Sequence, residues 1–282
     1  MTGAAPTAAE ALRDAIPRLA AAGVPDPARD VRRLMAHALH IAPDRLMLDL
    51  SRALSQPEAA TFNAALAARM ARQPVSQIIG YRLFWGREFR VTPATLDPRP
   101  ETELLVEAAL AVPFARVLDL GTGTGCILLS LLAERPEATG TGIDVSAAAL
   151  AVAAENAARI GVAARAEMRQ GSWFDGVCET VDLIVSNPPY IADDEMADLA
   201  PEVRDWEPHL ALSPGGDGLG AYRAIASGAL AHLAPGGRLL LEIGPTQAAA
   251  VLRMLADAGL AGARVLPDLD GRDRVILAQR AS

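Results

Sequence analysis

VLDLGTGTGC (117–126) decides the fold. Its first half is an apolar run broken only by Asp119, its second half sets glycines at 121, 123 and 125, and CILLSLLAERP (126–136) follows at once as an apolar segment of helical length. A strand that ends on glycines and turns into a helix is the opening unit of an open α/β sheet, in which ligands bind beyond the carboxyl ends of the strands. Gly121, Gly123 and Gly125 let the main chain adopt conformations closed to side chains and pass close to a bound molecule.

The same alternation continues toward the C-terminus. TGTGIDV, a helix over 147–160, a short strand over 166–171, VDLIVS, a helix over 219–234, GGRLLLEIG, a helix over 246–258, ARVLPDL and DRVILAQR follow in turn. Such a pattern predicts a mostly parallel sheet covered by helices on both faces. Only the turn LDGRD separates the last two strands, so they are expected to pair antiparallel at one end.

Toward the N-terminus the period changes. VSQIIGYRLFWGREFRVTPATLDP (about 75–97), rich in β-branched and aromatic residues, reads as a hairpin joining two domains. Before it, TAAEALRDAIPRLAAAG, DPARDVRRLMAHALH, APDRLMLDL and QPEAATFNAALAARMARQ repeat apolar positions at helical spacing, with Pro and Asp at helix starts and Gly23 past the first helix. The expected division is a helical domain (1–74), a hairpin linker (75–97) and an α/β domain (98–282).

Of the 282 residues, 51% are apolar and 21% charged, the composition of a folded chain. Mean hydropathy is +0.21, but the richest segments are cut by charge or Gly/Pro well before the about 20 residues that a membrane-spanning helix needs. MTGAAPTAAEALRD lacks the basic and apolar regions of a signal peptide, so a cytoplasmic protein is expected. A net charge of −8 argues against naked nucleic acid as substrate. Cys126 and Cys178 offer neither a disulfide framework nor metal spacing and read as buried thiols; His37 and His40 lie one turn apart without a third ligand, and no metal site is expected.

A dinucleotide fingerprint, G-x-G-x-x-G, would require glycine where Cys126 stands. G-x-G-x-G with Asp119 two residues ahead instead resembles motif I of the class I S-adenosylmethionine-dependent methyltransferases. The second strand ends on Asp144, whose carboxylate can accept hydrogen bonds from both ribose hydroxyls of a nucleoside. Asp144 could equally serve the start of the next helix, a role Ser146 can also fill. Asp119 could orient the cofactor's ammonium group or hold the glycine loop. Trp173, in GSWF, could pack against adenine or simply belong to the core.

VSNPPYI (185–191) ends the fourth strand at the same sheet edge. Asn187 offers an amide oxygen, and Pro188, having no N–H, presents only a carbonyl. Pro189 keeps Pro188 extended. Two acceptors side by side match the two hydrogens of a planar NH₂ group, fixing its nitrogen toward an activated methyl group, and Tyr190 adds a π face near positive charge. A turn or a polyproline ligand is the alternative for an isolated Asn-Pro-Pro-Tyr.

Asn-Pro-Pro-Tyr behind motif I is similar to methyltransferases that act on planar NH₂ groups. Over nearly the whole chain the sequence resembles the peptide chain release factor N5-glutamine methyltransferases of the HemK/PrmC type. The matching pieces are 72–103, DLGTGTGCILLSLLAERP (119–136), GIDVS (142–146), VDLIVSNPPYI (181–191) and EVRDWEP (202–208). The resemblance implies a helical N-terminal domain, a hairpin linker and a seven-stranded methyltransferase domain. It further implies S-adenosylmethionine bound by Gly121, Thr122, Gly123, Thr124, Gly125, Asp144, Trp173 and Asn187. Release factors would be the partner, their GGQ glutamine received by Asn187, Pro188, Pro189 and Tyr190. The PRPETE loop (98–103), with Arg99 and Glu101, would help close the site, or else mark a helix start. Many relatives carry an acidic residue where this chain has Ser172, so an adenine contact there is not implied. A ribosomal-protein glutamine shares the same chemistry. DNA adenine-N6 or cytosine-N4 methylation would need a target-recognition region and a basic groove that the sequence does not display.

Overall fold

The computed structural model describes residues 5–282, so the first residues of MTGAAPTAAEALRD lie outside it. Two compact units form by contact: Met1–Tyr81 with Ala200–Trp206, and Arg82–Leu199 with Glu207–Ser282.

The first unit packs α1 (Ala8–Ala21), α2 (Pro27–Ala38), α3 (Gln56–Met70) and the short α4 (Val75–Ile79). Thr7 and Ser55 start α1 and α3 with capping boxes through Glu10 and Glu58, and Asp26 caps α2 ahead of Pro27. APDRLMLDL forms a 3₁₀ turn over Pro43–Leu48 rather than an α-helix. Leu12, Leu19, Leu34, Met35, Phe62 and Leu66 are core residues of this unit. The stretch from 75 was expected to open a hairpin, yet 75–79 is helical. Val75 and Ile79, one turn apart, bury their side chains in the helical core, and Gly80 ends the turn at φ 86°. α8 (Pro201–Arg204) joins the unit through Glu202, which accepts from Arg69 at 2.9 Å and from Arg72 at 2.6 Å, while Gln77 donates to the Trp206 carbonyl.

The strand pair β1 (Tyr81–Phe84) and β2 (Arg87–Arg90) turns at Trp85 and Gly86, both at positive φ, as a two-residue hairpin requires. The division between the units falls inside β1, so most of this hairpin belongs to the second unit, where Phe84 and Phe89 meet edge to face in the core. There follow α5 (Glu103–Leu110), β3 (Arg116–Leu120), α6 (Cys126–Glu134), β4 (Thr139–Asp144), α7 (Ala147–Ile160), β5 (Ala166–Gln170) and β6 (Val181–Ser186). The chain then runs through α9 (His209–Leu212), α10 (Gly220–His232), β7 (Leu233–Glu242), α11 (Ala248–Asp257), β8 (Ala261–Pro267) and β9 (Asp273–Gln279).

The seven strands order as β5-β4-β3-β6-β7-β9-β8. β3 to β7 run parallel, and β9 pairs antiparallel with both β7 and β8, the expected end hairpin. Strand alternation divides the core between the two faces. Leu118, Leu120, Ile184, Leu239 and Leu241 pack under α10 and α11, whereas Val117, Leu183, Val185 and Leu240 pack under α5, α6 and α7. Among the described residues no helix is long and apolar enough to cross a membrane, and no group of three or more His, Cys, Asp or Glu could hold a metal ion. Cys178 is exposed, contrary to the expectation of two buried thiols: it sits in the turn before β6, outside the core.

Candidate active site

Register builds the site. Leu120 of β3 pairs with Ile143 of β4 on one side and with Ser186 of β6 on the other, and Ser186 pairs with Leu241 of β7. Gly121, Asp144, Asn187 and Glu242 each directly follow one of these four residues, on neighbouring strands. Strand order reverses between β3 and β6, the position at which an open α/β sheet leaves a crevice. A cavity of about 500 Å³ opens there, and its wall includes Gly121 to Thr124, Asp144, Trp173, Asn187, Pro189 and Arg99.

On the β4 side the wall is mostly main chain. Gly121 and Thr122 both donate N–H to the Ile143 carbonyl, at 2.8 and 2.9 Å, and Gly123 donates to Asp144 Oδ2 at 2.9 Å. Gly121 and Gly123 have φ of 72° and 55°, and no atom lies within 4 Å of where a Cβ would stand on either. Gly125, which starts α6, lies outside the wall; a Cβ on it would meet Leu129 Cδ1 at 2.8 Å. Asp144 also accepts from the Ser146 N–H at 2.9 Å, while Ser146 itself caps α7 through the Ala149 N–H. Asp144 lines the cavity, and its carboxylate steadies the loop and the start of α7. Buried Asn156 ties the loop's far end, donating to the Thr124 and Arg90 carbonyls and accepting from the Arg90 N–H.

Asp119 stands behind this loop, fully buried and outside the cavity wall. Its Oδ2 accepts from the Thr122 hydroxyl at 2.7 Å. Burial pushes its carboxyl up to about 7. Of the two roles considered for it, holding the loop is the one the geometry supports.

On the β7 side the wall is built from side chains. Asn187 donates through Nδ2 to Thr102 Oγ1 at 3.2 Å, and Thr102 Oγ1 donates to Glu242 Oε2 at 2.6 Å. Burial pushes the Glu242 carboxyl up to about 7, against the opposing hydrogen bond from Thr102. Pro188 is buried and Tyr190 half-buried, and neither lies in the wall; Pro189 does. The Tyr190 phenol is pushed up, chiefly by burial, and its carbonyl accepts from Gln247 Nε2 at 2.8 Å. Arg99 donates to Glu207 at 2.6 Å; burial raises that carboxyl to about 7 even beside the guanidinium. Glu101 is exposed and off the wall. The Trp173 indole lines the cavity on a backbone at φ 51°, uncommon for a bulky residue.

A glycine loop with room where side chains would stand, a carboxylate at the next strand end and an indole in the wall suit a nucleoside-bearing cofactor. An amide at the opposite edge, held through its nitrogen by Thr102, suits a polar group placed against it. Comparison with known proteins agrees. Residues 10–80 match the PrmC N-terminal domain, and residues 95–205 match the methyltransferase small domain. A release factor glutamine methyltransferase of Cereibacter sphaeroides is 70% identical over 96% of this chain and 98% of its own length. The chain belongs to the release factor glutamine methyltransferase family. A member from Rhodospirillum rubrum is 46% identical over 93% of this chain and 82% of that protein. For the fold alone, this methyltransferase chain resembles a Pyrococcus furiosus methyltransferase, with a TM-score of 0.55 at 15% identity over 78% of this chain and 98% of that one. It also resembles a Thermus thermophilus 16S rRNA N2 G1207 methyltransferase, with a TM-score of 0.52 at 20% identity over 71% and 49% of the two chains.

Within this methyltransferase, sequence reasoning missed Thr102, Glu242, Glu207 and Asn156. PRPETE drew attention to Arg99 and Glu101, whereas the residue that reaches Asn187 is Thr102, between them and α5. A signal for Glu242 was present: an acid ending the apolar run LLLE, as Asp119 interrupts VLDL.

Proposed function

We propose that this chain carries a methyl group from S-adenosylmethionine to the side-chain amide nitrogen of the glutamine in the Gly-Gly-Gln tripeptide of peptide chain release factors, in the cytoplasm where translation ends. The pairing of Leu120 with Ser186 carries this reading, because it sets Asn187 beside the glycine loop in the wall of one cavity. The relatives' shared name supports the substrate. When bound, the cofactor supplies an electrophilic methyl on a positively charged sulfur.

Each protein group then has a limited task. The glycine loop and Asp144 hold the nucleoside, and Trp173 covers its base. Asn187, in the cavity wall, accepts one hydrogen of the substrate NH₂ through Oδ1 and fixes the nitrogen; the Pro188 carbonyl, assigned the other hydrogen by chemistry alone, lies outside that wall. Tyr190, a neutral phenol, lends a π face to the charge that develops. No base is needed beforehand, since the alkylated nitrogen becomes acidic and loses its proton afterwards. Catalysis is therefore mainly positioning and electrostatics.

The test offers labelled S-adenosylmethionine with purified release factor, ribosomal proteins and DNA in parallel. Label in the release factor is expected. Label in ribosomal protein alone would move the substrate within the same chemistry, and label in DNA alone would overturn the reading.

A further inference from the structure

An amide side chain can present either end to a ligand, so the role of Asn187 depends on which end is held. Thr102 decides this. Its hydroxyl has one hydrogen, which is donated to Glu242 Oε2 at 2.6 Å, so only lone pairs remain toward Asn187 at 3.2 Å. Lone pairs accept the amide N–H and repel the amide oxygen. Held by Nδ2, the amide turns Oδ1 outward.

The arrangement is sheltered. Thr102 and Glu242 are each 1% exposed, which leaves little room for a water to reverse the polarity. Register fixes Glu242 one residue beyond the Ser186–Leu241 pair, and the 3₁₀ turn Pro100–Thr102 delivers the hydroxyl just before α5 begins. With Glu242 ionised the tie selects the orientation an acceptor role requires, whereas a protonated Glu242 can donate to Thr102 and release it.

We propose that Thr102 and Glu242 are positioning residues for the methyl transfer, committing the Asn187 amide to present its oxygen to the substrate nitrogen. The inference rests on the methyl-transfer reading of Asn187, and its test separates the two. With ¹⁵N-asparagine labelling, the Asn187 NH₂ signal, assigned by its loss in Asn187→Ala, should have one proton protected from exchange. Thr102→Val should abolish that protection and Thr102→Ser restore it. With S-adenosylmethionine and purified release factor, Thr102→Val should lower kcat roughly 10- to 100-fold, with cofactor affinity retained, and Thr102→Ser should recover most of the loss. Glu242→Gln lets residue 242 donate to Thr102, freeing the hydroxyl hydrogen to reach Asn187, and provides a second arm should Thr102→Val not fold; it too should lower kcat. An Asn187 signal indifferent to Thr102→Val, or kcat unchanged in both Thr102→Val and Glu242→Gln, would overturn the relay. A wild-type enzyme inactive on release factor would overturn the functional reading, and the exchange result would then judge the relay alone.

Discussion

The two sides of the cavity are held by different means. On the glycine side, the contacts of Thr122 and Gly123 span less of the sequence: Thr122 to Asp119, three residues apart, and Gly123 to Asp144, 21 apart. Across from it, Asn187 depends on Thr102, 85 residues away, and Thr102 on Glu242, 140 away. The first side, on the proposed reading a binding surface, is made mostly of backbone, and a local motif can encode it. The second, on the proposed reading, aims one amide, and only the pairing of β6 with β7 together with the 3₁₀ turn Pro100–Thr102 brings its parts together. Binding and aiming should therefore fail separately.

The largest effect is expected at Asn187. Asn187→Ala should reduce single-turnover methyl transfer on the order of 10²- to 10³-fold, the scale of losing one preorganised polar contact to a reacting group, while calorimetry with S-adenosylmethionine shows little change. A parallel loss of both would break the contrast between the sides. Next comes Asp144→Ala, which removes charge-assisted bonds worth about 1.5–3 kcal/mol. Calorimetry should register a drop in cofactor affinity of roughly 10- to 100-fold, and saturating cofactor should recover much of the rate.

Asn156→Leu should act on stability first. It strands the Arg90 N–H and the Arg90 and Thr124 carbonyls, each costing about 1–3 kcal/mol, so urea unfolding should reveal a loss near the lower part of their sum. Intact stability would mean that the loop's far end is held by something else. The smallest effect concerns pH. Burial pushes the carboxyls of Asp119, Glu207 and Glu242 up to about 7, from ordinary values of 3.8 for Asp and 4.5 for Glu. Between those values and about 7 the folded chain holds more protons than the unfolded one, so stability falls as pH rises. Glu58 and Asp217, lowered to about 2, oppose this slope only near the ordinary carboxylate range and are ionised in both states at higher pH, while His37, lowered chiefly by burial, opposes it below its ordinary value. The melting temperature should be a few degrees higher near pH 5.5 than near pH 8, and Glu242→Gln should flatten part of that slope. A melting temperature that rises with pH would contradict the burial of these groups.

This asymmetry explains what could be read in advance. VLDLGTGTGC announced a strand, a loop and a helix because its geometry depends on its own glycines, all three at positive φ. Asn187 was legible because two prolines behind a strand are uncommon. Thr102 was not, since a threonine at the start of a helix ordinarily caps it, and only the long-range contact reveals another role. The helix at 75–79 was hidden for a similar reason: VSQII has the β-branched composition of a strand, and burial of Val75 and Ile79 in the helical unit overrides that preference. Pro188 and Tyr190 stood out by chemistry, yet the wall of the cavity takes in Asn187 and Pro189 instead.

The decisive measurement is the position of the transferred methyl group, read by tandem mass spectrometry on release factor after reaction with the wild-type protein. An acceptor oxygen aimed at a planar nitrogen predicts the methyl on the side-chain amide of the Gly-Gly-Gln glutamine. A methyl found on a carboxylate or on a lysine amine, with that glutamine untouched, would contradict it.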